Sequence, residues 1–198
     1  MRWDNLFDDL ESQLEQELGA EEGDLLAEEE RLRLGRLTVR DRVISMTRPG
    51  EGFADQLKLA LRDGSVITVA VGTVGRDWIV GELIGARRGS CVVPLNAVSG
   101  ILPTSEQLAR SIAAAPKRDT PVALSARLGL AFVLRDLCRR RAAVELSTGS
   151  SQQLHGTIDR VGRDHLDLAE HEAGVSRRAE AVGRIRILPF DELLLVRF

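Results

Sequence analysis

The sequence predicts an α+β protein: two small five-stranded β-barrels joined by helices, with an acidic helical arm in front. Three observations predict it. Apolar residues recur every three or four positions up to about residue 46, then every second position from Gln56. A rhythm of short strands and tight turns occurs twice. Carboxylates crowd into the first thirty residues. The expected organisation is an arm over residues 1–48, a first barrel over 49–103, a helical connector over 104–141 and a second barrel over 142–198.

The arm begins with an amphipathic helix over residues 2–18. Trp3, Leu6, Phe7, Leu10, Leu14 and Leu18 form one stripe among carboxylates. Gly19 is a stop, and Gly23 interrupts a continuation. Residues 24–34 are helical again. Residues 39–46 are a short helix that Thr38 can cap, although Val39, Val43 and Ile44 would also suit a strand. The cluster Thr47-Arg48-Pro49-Gly50-Glu51-Gly52 marks a boundary.

In the first barrel, Leu57, Leu59 and Leu61 alternate with Lys58, Ala60 and Arg62 up to the turn pair Asp63-Gly64. Ile67, Val69 and Val71 follow, then the turn Gly75-Arg76-Asp77. Trp78–Ile84, Cys91–Leu95 and Val98–Leu102 complete five strands. Closure into a barrel would remove the exposed edges. In the connector, Thr104-Ser105-Glu106-Gln107 has the capping-box form and opens a helix to about Ala114. Pro116–Pro121 links it to a helix over Ser125–Cys138, with Leu128, Phe132 and Leu137 on a buried side, which ends in Arg139-Arg140-Arg141.

The second barrel repeats the first. Thr148-Gly149 stands where Asp63-Gly64 stood. Val161-Gly162-Arg163-Asp164-His165-Leu166 matches Val74-Gly75-Arg76-Asp77-Trp78-Ile79. Pro189 and Val196 match Pro94 and Ile101. The second copy carries an insertion around Glu172–Ala179, read as a polar hairpin extension.

The charge is unevenly distributed. Residues 1–30 hold twelve acids and one base, a net of −11, while the remainder carries +8, so the overall −3 hides a split. With 198 residues, 43% apolar and 29% charged, the chain is neither a disordered tail nor a membrane protein. No run of eighteen apolar residues occurs. The N-terminal segment has no basic region followed by an apolar one, so no secretory signal is expected there. Cys91 and Cys138 lie far apart, as free thiols in a reducing cytoplasm would.

The order of signals in both halves, Leu57–Gly64 with Asp77-Trp78-Ile79 and Val144–Gly149 with Asp164–Leu168, resembles the Sm-like (LSm) family of small barrels. The same rhythm is shared by SH3-like barrels. The resemblance implies a short helix before each bent five-stranded barrel, and contact with RNA. It covers about residues 55–102 and 142–197. Trp78 and His165, each following an aspartate, could then stack a base. Arg76, Arg88, Arg140 and Arg163 would neutralise phosphates.

Catalytic signatures are missing. No nucleophile elbow, phosphate loop or dinucleotide fingerprint occurs, and His155, His165 and His171 match no metal-ligand spacing. No enzyme activity, cofactor or metal is expected. Two functions remain. One is a non-enzymatic cytoplasmic nucleic-acid-associated protein, with RNA as partner. The other is a protein-interaction scaffold that binds no nucleic acid. The discriminator is whether Arg76, Arg88, Arg140 and Arg163 gather on one face free of acids. The arm stripe Trp3, Phe7, Leu10 and Leu14 is the candidate protein contact. It would be buried against the chain's own body, a second copy or another protein.

Overall fold

The computed structural model describes residues 23–47, 56–85, 88–113, 124–172 and 183–198. The arm stripe at Trp3, Phe7, Leu10 and Leu14 and the linker over 116–121 lie outside them. The chain divides into two compact units, Met1–Val39 and Arg40–Phe198. In the first, residues 23–35 are helical (α1), with Leu25, Leu26, Leu32 and Leu34 exposed. Arg31 pairs with Glu28 at 2.6 Å and Arg33 with Glu30 at 2.5 Å. Such exposed pairs one helical turn apart stabilise little.

The second unit begins with α2 (Val39–Met46), which buries Val43 and Met46. Five strands follow: β1 (Gln56–Leu61), β2 (Val66–Val74), β3 (Trp78–Ile84), β4 (Gly89–Pro94) and β5 (Val98–Ile101). Two helices come next, α3 (Ser105–Ile112) and α4 (Leu130–Arg139). The second half is β6 (Ala143–Thr148), β7 (Gln153–Val161), β8 (His165–Glu170), β9 (Arg184–Pro189) and β10 (Leu193–Arg197). Several local signals act as expected. Gly64, at φ +82°, makes the hairpin turn after β1. Thr104 and Gln107 form the reciprocal capping box that opens α3. The helix expected over Ser125–Cys138 departs from expectation: α4 starts only at Leu130, buries Leu130, Leu134 and Leu137, leaves Phe132 53% exposed, and packs on β7.

The two closed barrels do not form. All ten strands join one open antiparallel sheet in the order β5-β1-β2-β3-β4-β10-β6-β7-β8-β9. Closing a five-stranded barrel would require β5 to return to β4. Instead β5 pairs with β1, and the edge of β4 is taken by β10 of the other half. The expectation of two five-stranded barrels joined by helices is therefore corrected to a single sheet.

The repeat nevertheless holds at the level of register. Leu57 faces Val69 in the first half, and Val144 faces Gly156 in the second. Trp78 faces Pro94, and His165 faces Pro189. The bulge between Val71 and Thr73 recurs between Ile158 and Arg160. A second bulge, where β5 meets β1, recurs where β10 meets β6. Bulges bend a strand and raise its twist, so both halves curve at the same places.

The cores explain why the halves fuse. One cluster gathers Val43, Met46, the β1 leucines and Ile79, and also takes Leu194 and Leu195 from β10. The other gathers Leu134, Leu137, Leu146, Ile158 and Leu166, and takes Trp78 and Val92 from the first half. Each half donates side chains to the other's core. Strands β4 and β10, between the two cores, are buried on both faces. That is why Cys91-Val92-Val93 and Leu193–Val196 are continuous apolar runs rather than alternating ones.

Candidate interaction surface

The matched turns Gly75–Trp78 and Gly162–His165 are built alike. An arginine from the preceding helix donates to the glycine carbonyl: Arg40 Nε to Gly75 O at 2.6 Å, and Arg135 to Gly162 O at 3.0 Å. The ring three residues on lies across the glycine. A Cβ on Gly75 would come within 2.1 Å of the Trp78 indole, and one on Gly162 within 2.5 Å of the His165 imidazole. Only glycine fits beneath either ring. The aspartate carbonyls accept equivalent bonds, from Leu95 N at 2.9 Å and from Phe190 N at 2.7 Å.

The side chains then diverge. Trp78 is 5% exposed, and its indole N–H donates to Leu128 O at 2.9 Å. A base cannot stack on a ring whose faces lie in the core. Asp77 Oδ1 accepts from Leu130 N at 2.7 Å and so caps the start of α4. The Arg76 backbone N–H donates to Leu128 O at 3.2 Å. This turn is committed to holding α4. In the second half, His165 is only partly buried, and its Nδ1 lies 2.8 Å from Asp164 Oδ1. That hydrogen bond holds the Asp164 carboxyl below the usual range.

The arginines have carboxylate neighbours. Arg76 lies 3.3 Å from Asp77, and Arg140 Nε lies 2.8 Å from Asp136, which also takes Arg139. Arg141 lies 3.4 Å from Asp159. Exposed Arg163 adjoins Asp164 in the chain and helps hold that carboxyl down. Arg76, Arg140 and Arg163 thus all lie close to α4 or the turns beside it, interleaved with Asp77, Asp136, Asp159 and Asp164. Arg88 is exposed and set apart, immediately before β4.

Among the described residues, no group of three or more His, Cys, Asp or Glu side chains could hold a metal ion. A cleft of about 780 Å³ is lined by residues including His155, Glu170, His171 and Arg184. Three of its side chains have partners. His171 Nε2 lies 2.9 Å from Thr157 Oγ1. Glu170 holds Arg184 at 2.8 Å, and also Arg186. Burial pushes the Glu170 carboxyl up, but the bonds from the two arginines outweigh it and leave it lowered. Burial, aided by the Glu82 carboxylate, pushes the Cys91 thiol up to about 11, so it stays protonated and a poor nucleophile.

The sheet ends supply the feature that sequence reading missed. Among the described residues, no strand pairs with the outer edge of β5 or of β9. On β9, Ile185 and Ile187 are 62% and 68% exposed. A terminal strand presents unpaired N–H and C=O groups, and exposed isoleucines on it form a ready docking edge. The clue was in the repeat: Ile187 occupies the place of Val92, which is wholly buried.

No family model matches the chain, no curated protein is similar to it, and no solved structure matches it. The Sm-like resemblance therefore rests on the sequence rhythm alone. No helix among the described residues is long and apolar enough to cross a membrane.

Proposed function

We propose that this protein is a non-enzymatic interaction scaffold of the cytoplasm that joins other chains through the free ends of its sheet. The observation that carries the reading is that, among the described residues, no strand pairs with the outer edge of β9, where Ile185 and Ile187 are exposed. An extended segment added there would gain main-chain hydrogen bonds, with the isoleucines supplying apolar contact. The interleaving of arginines with carboxylates supports the same reading over nucleic-acid association. Arginine charge already balanced by a carboxylate attracts phosphate weakly.

The rival reading, RNA association, draws on Arg76 and Arg163 at equivalent turns and on exposed Arg88. A filter-binding titration of a single-stranded RNA at low and moderate salt separates the two. The scaffold reading expects no saturable binding at either salt. It also expects protein partners that survive nuclease treatment of a pull-down from the native cell. Saturable RNA binding with a steep salt slope, weakened in the Arg76→Ala/Arg163→Ala variant, would replace it with the nucleic-acid reading.

A further inference from the structure

We infer that two copies of this chain associate through helix α3, packed antiparallel across a two-fold axis. The helix is turned inside out. Its buried residues are Gln107 and Ser111, whereas Leu108 and Ile112 are 46% and 45% exposed. A helix on a globular body ordinarily buries its apolar stripe and leaves its polar side in water. Hydrogen bonds hold α3 the other way round. Gln107 Nε2 donates to Gln56 O, at the start of β1, at 2.9 Å. Its Oε1 accepts from Thr104 N at 3.0 Å, so one side chain caps the helix and ties it to the sheet. Ser111 Oγ accepts from the Arg42 guanidinium of α2 at 3.0 Å and donates to Leu108 O at 2.7 Å. Rolling the helix to hide its apolar stripe would break the bonds to β1 and α2.

The outward face fits a second copy of itself. Ser105, Leu108, Ala109 and Ile112 are all exposed, and their spacings of three and four put them on one face. Two are small and two are large. With the two-fold axis between Leu108 and Ala109, antiparallel packing sets Leu108 opposite Ala109 of the second copy and Ile112 opposite its Ser105. Every large side chain then meets a small one, whereas parallel packing would set large on large and leave gaps between. No charge lies on this face. On its flank, exposed Glu106 comes level with Arg110 of the second copy, to within about 1.5 Å along the axis. The two-fold makes that pairing of opposite charges twice. The face is short, about 12 Å, and contacts that bury less than about 1,200 Å² belong to weak complexes. The dimer is therefore one that dissociates on dilution. The contact is separate from the sheet ends, and its symmetry closes it at two copies.

The test is sedimentation of the full chain over about a hundredfold range of concentration. The expected mass rises from one chain to two and no further. Leu108→Lys should hold it at one chain, with circular dichroism and thermal midpoint unchanged. Ala109→Leu should raise the dissociation constant about tenfold, because the added side chain fills the place that Leu108 of the second copy needs. This second variant decides the matter should Leu108→Lys unfold. Under mild oxidation Ala109→Cys should cross-link into a two-chain species, because position 109 lies beside the axis. Ser105→Cys should not, since its two copies stand about 10 Å apart along the helices. Several results would overturn the inference. One is a wild type of single-chain mass throughout, and another is a mass that climbs beyond two chains. Association unchanged in Leu108→Lys means that another surface is used. Association tightened in Ala109→Leu means that the face is merely apolar and has no fitted partner. Cross-linking of Ser105→Cys as fast as of Ala109→Cys means that the helices run parallel. A single-chain wild type that loses a nuclease-resistant protein partner in Leu108→Lys means that the face takes a different protein. Partners held at the sheet ends should be kept in Leu108→Lys, so failure here leaves that reading to its own test.

Discussion

The two halves share every register and both bulges, yet their equivalent residues have opposite fates. Trp78 and His165 lie at the same place in the same turn, each folded over a glycine. The first is covered by α4 and enters a core; the second stays partly open. Val92 and Ile187 face equivalent partners, and only Val92 is covered. The difference teaches that register sets where a side chain points, while the next element along the chain decides whether it is buried. The first half is followed by a helix and a second half.

That contrast can be broken by substitution. The largest effect is expected at the aromatic pair. Trp78→Ala should cost about 3–5 kcal/mol, as for other large-to-small core changes. His165→Ala should stay within about 0.5 kcal/mol, the range of surface substitutions. Urea unfolding of both variants checks this, and equal losses would mean that α4 does not set the difference. A similar contrast holds within the first half. A Cβ on Gly81 would lie 2.2 Å from Ala70 O, where β2 and β3 approach closely, whereas on Gly100 the nearest atom is 4.0 Å away. Gly81→Ala should cost about 1–3 kcal/mol and lower the thermal midpoint, while Gly100→Ala should not cost a comparable amount.

The aspartates sharpen the comparison at a smaller scale. Asp77→Ala removes the cap on Leu130 N and should cost about 0.5–2 kcal/mol. Asp164→Ala removes only an exposed bond to His165 and should be near neutral by the same unfolding assay. The smallest expected effect is pH dependence at the β8–β9 edge. The Glu170 carboxyl is lowered in the folded protein, so its contribution is present above the ordinary carboxylate range. It is lost as pH falls through the lowered value. Glu170→Gln should therefore flatten the acid limb of the stability profile, and an unchanged limb would count against the Arg184 and Arg186 pairing.

Local elements were legible because their causes are local. The strand alternation at Leu57, Leu59 and Leu61, the Asp63-Gly64 turn and the Thr104–Gln107 box all depend on neighbours within a few residues. The repeat was legible for the same reason, since Val-Gly-Arg-Asp marks the same turn twice. Of the candidate site, the turns were legible and the fate of their side chains was not. The bonds of Trp78 to Leu128 and of Asp77 to Leu130, which lock the first turn under α4, were not legible, because they span about fifty residues of sequence.

The sequence by itself determined the two runs of short strands, the tight turns between them and the duplication, because period, turn chemistry and glycine placement act over short distances. Only the tertiary structure decided that β4 would pair with β10 rather than close on β5. Either choice satisfies the backbone hydrogen bonds and hides an apolar strand, and both read as the same apolar run. The exchange of Val92 and Trp78 for Leu194 and Leu195 between the cores accompanies the open choice. Among the described residues, it leaves one unpaired strand edge at each end of the sheet.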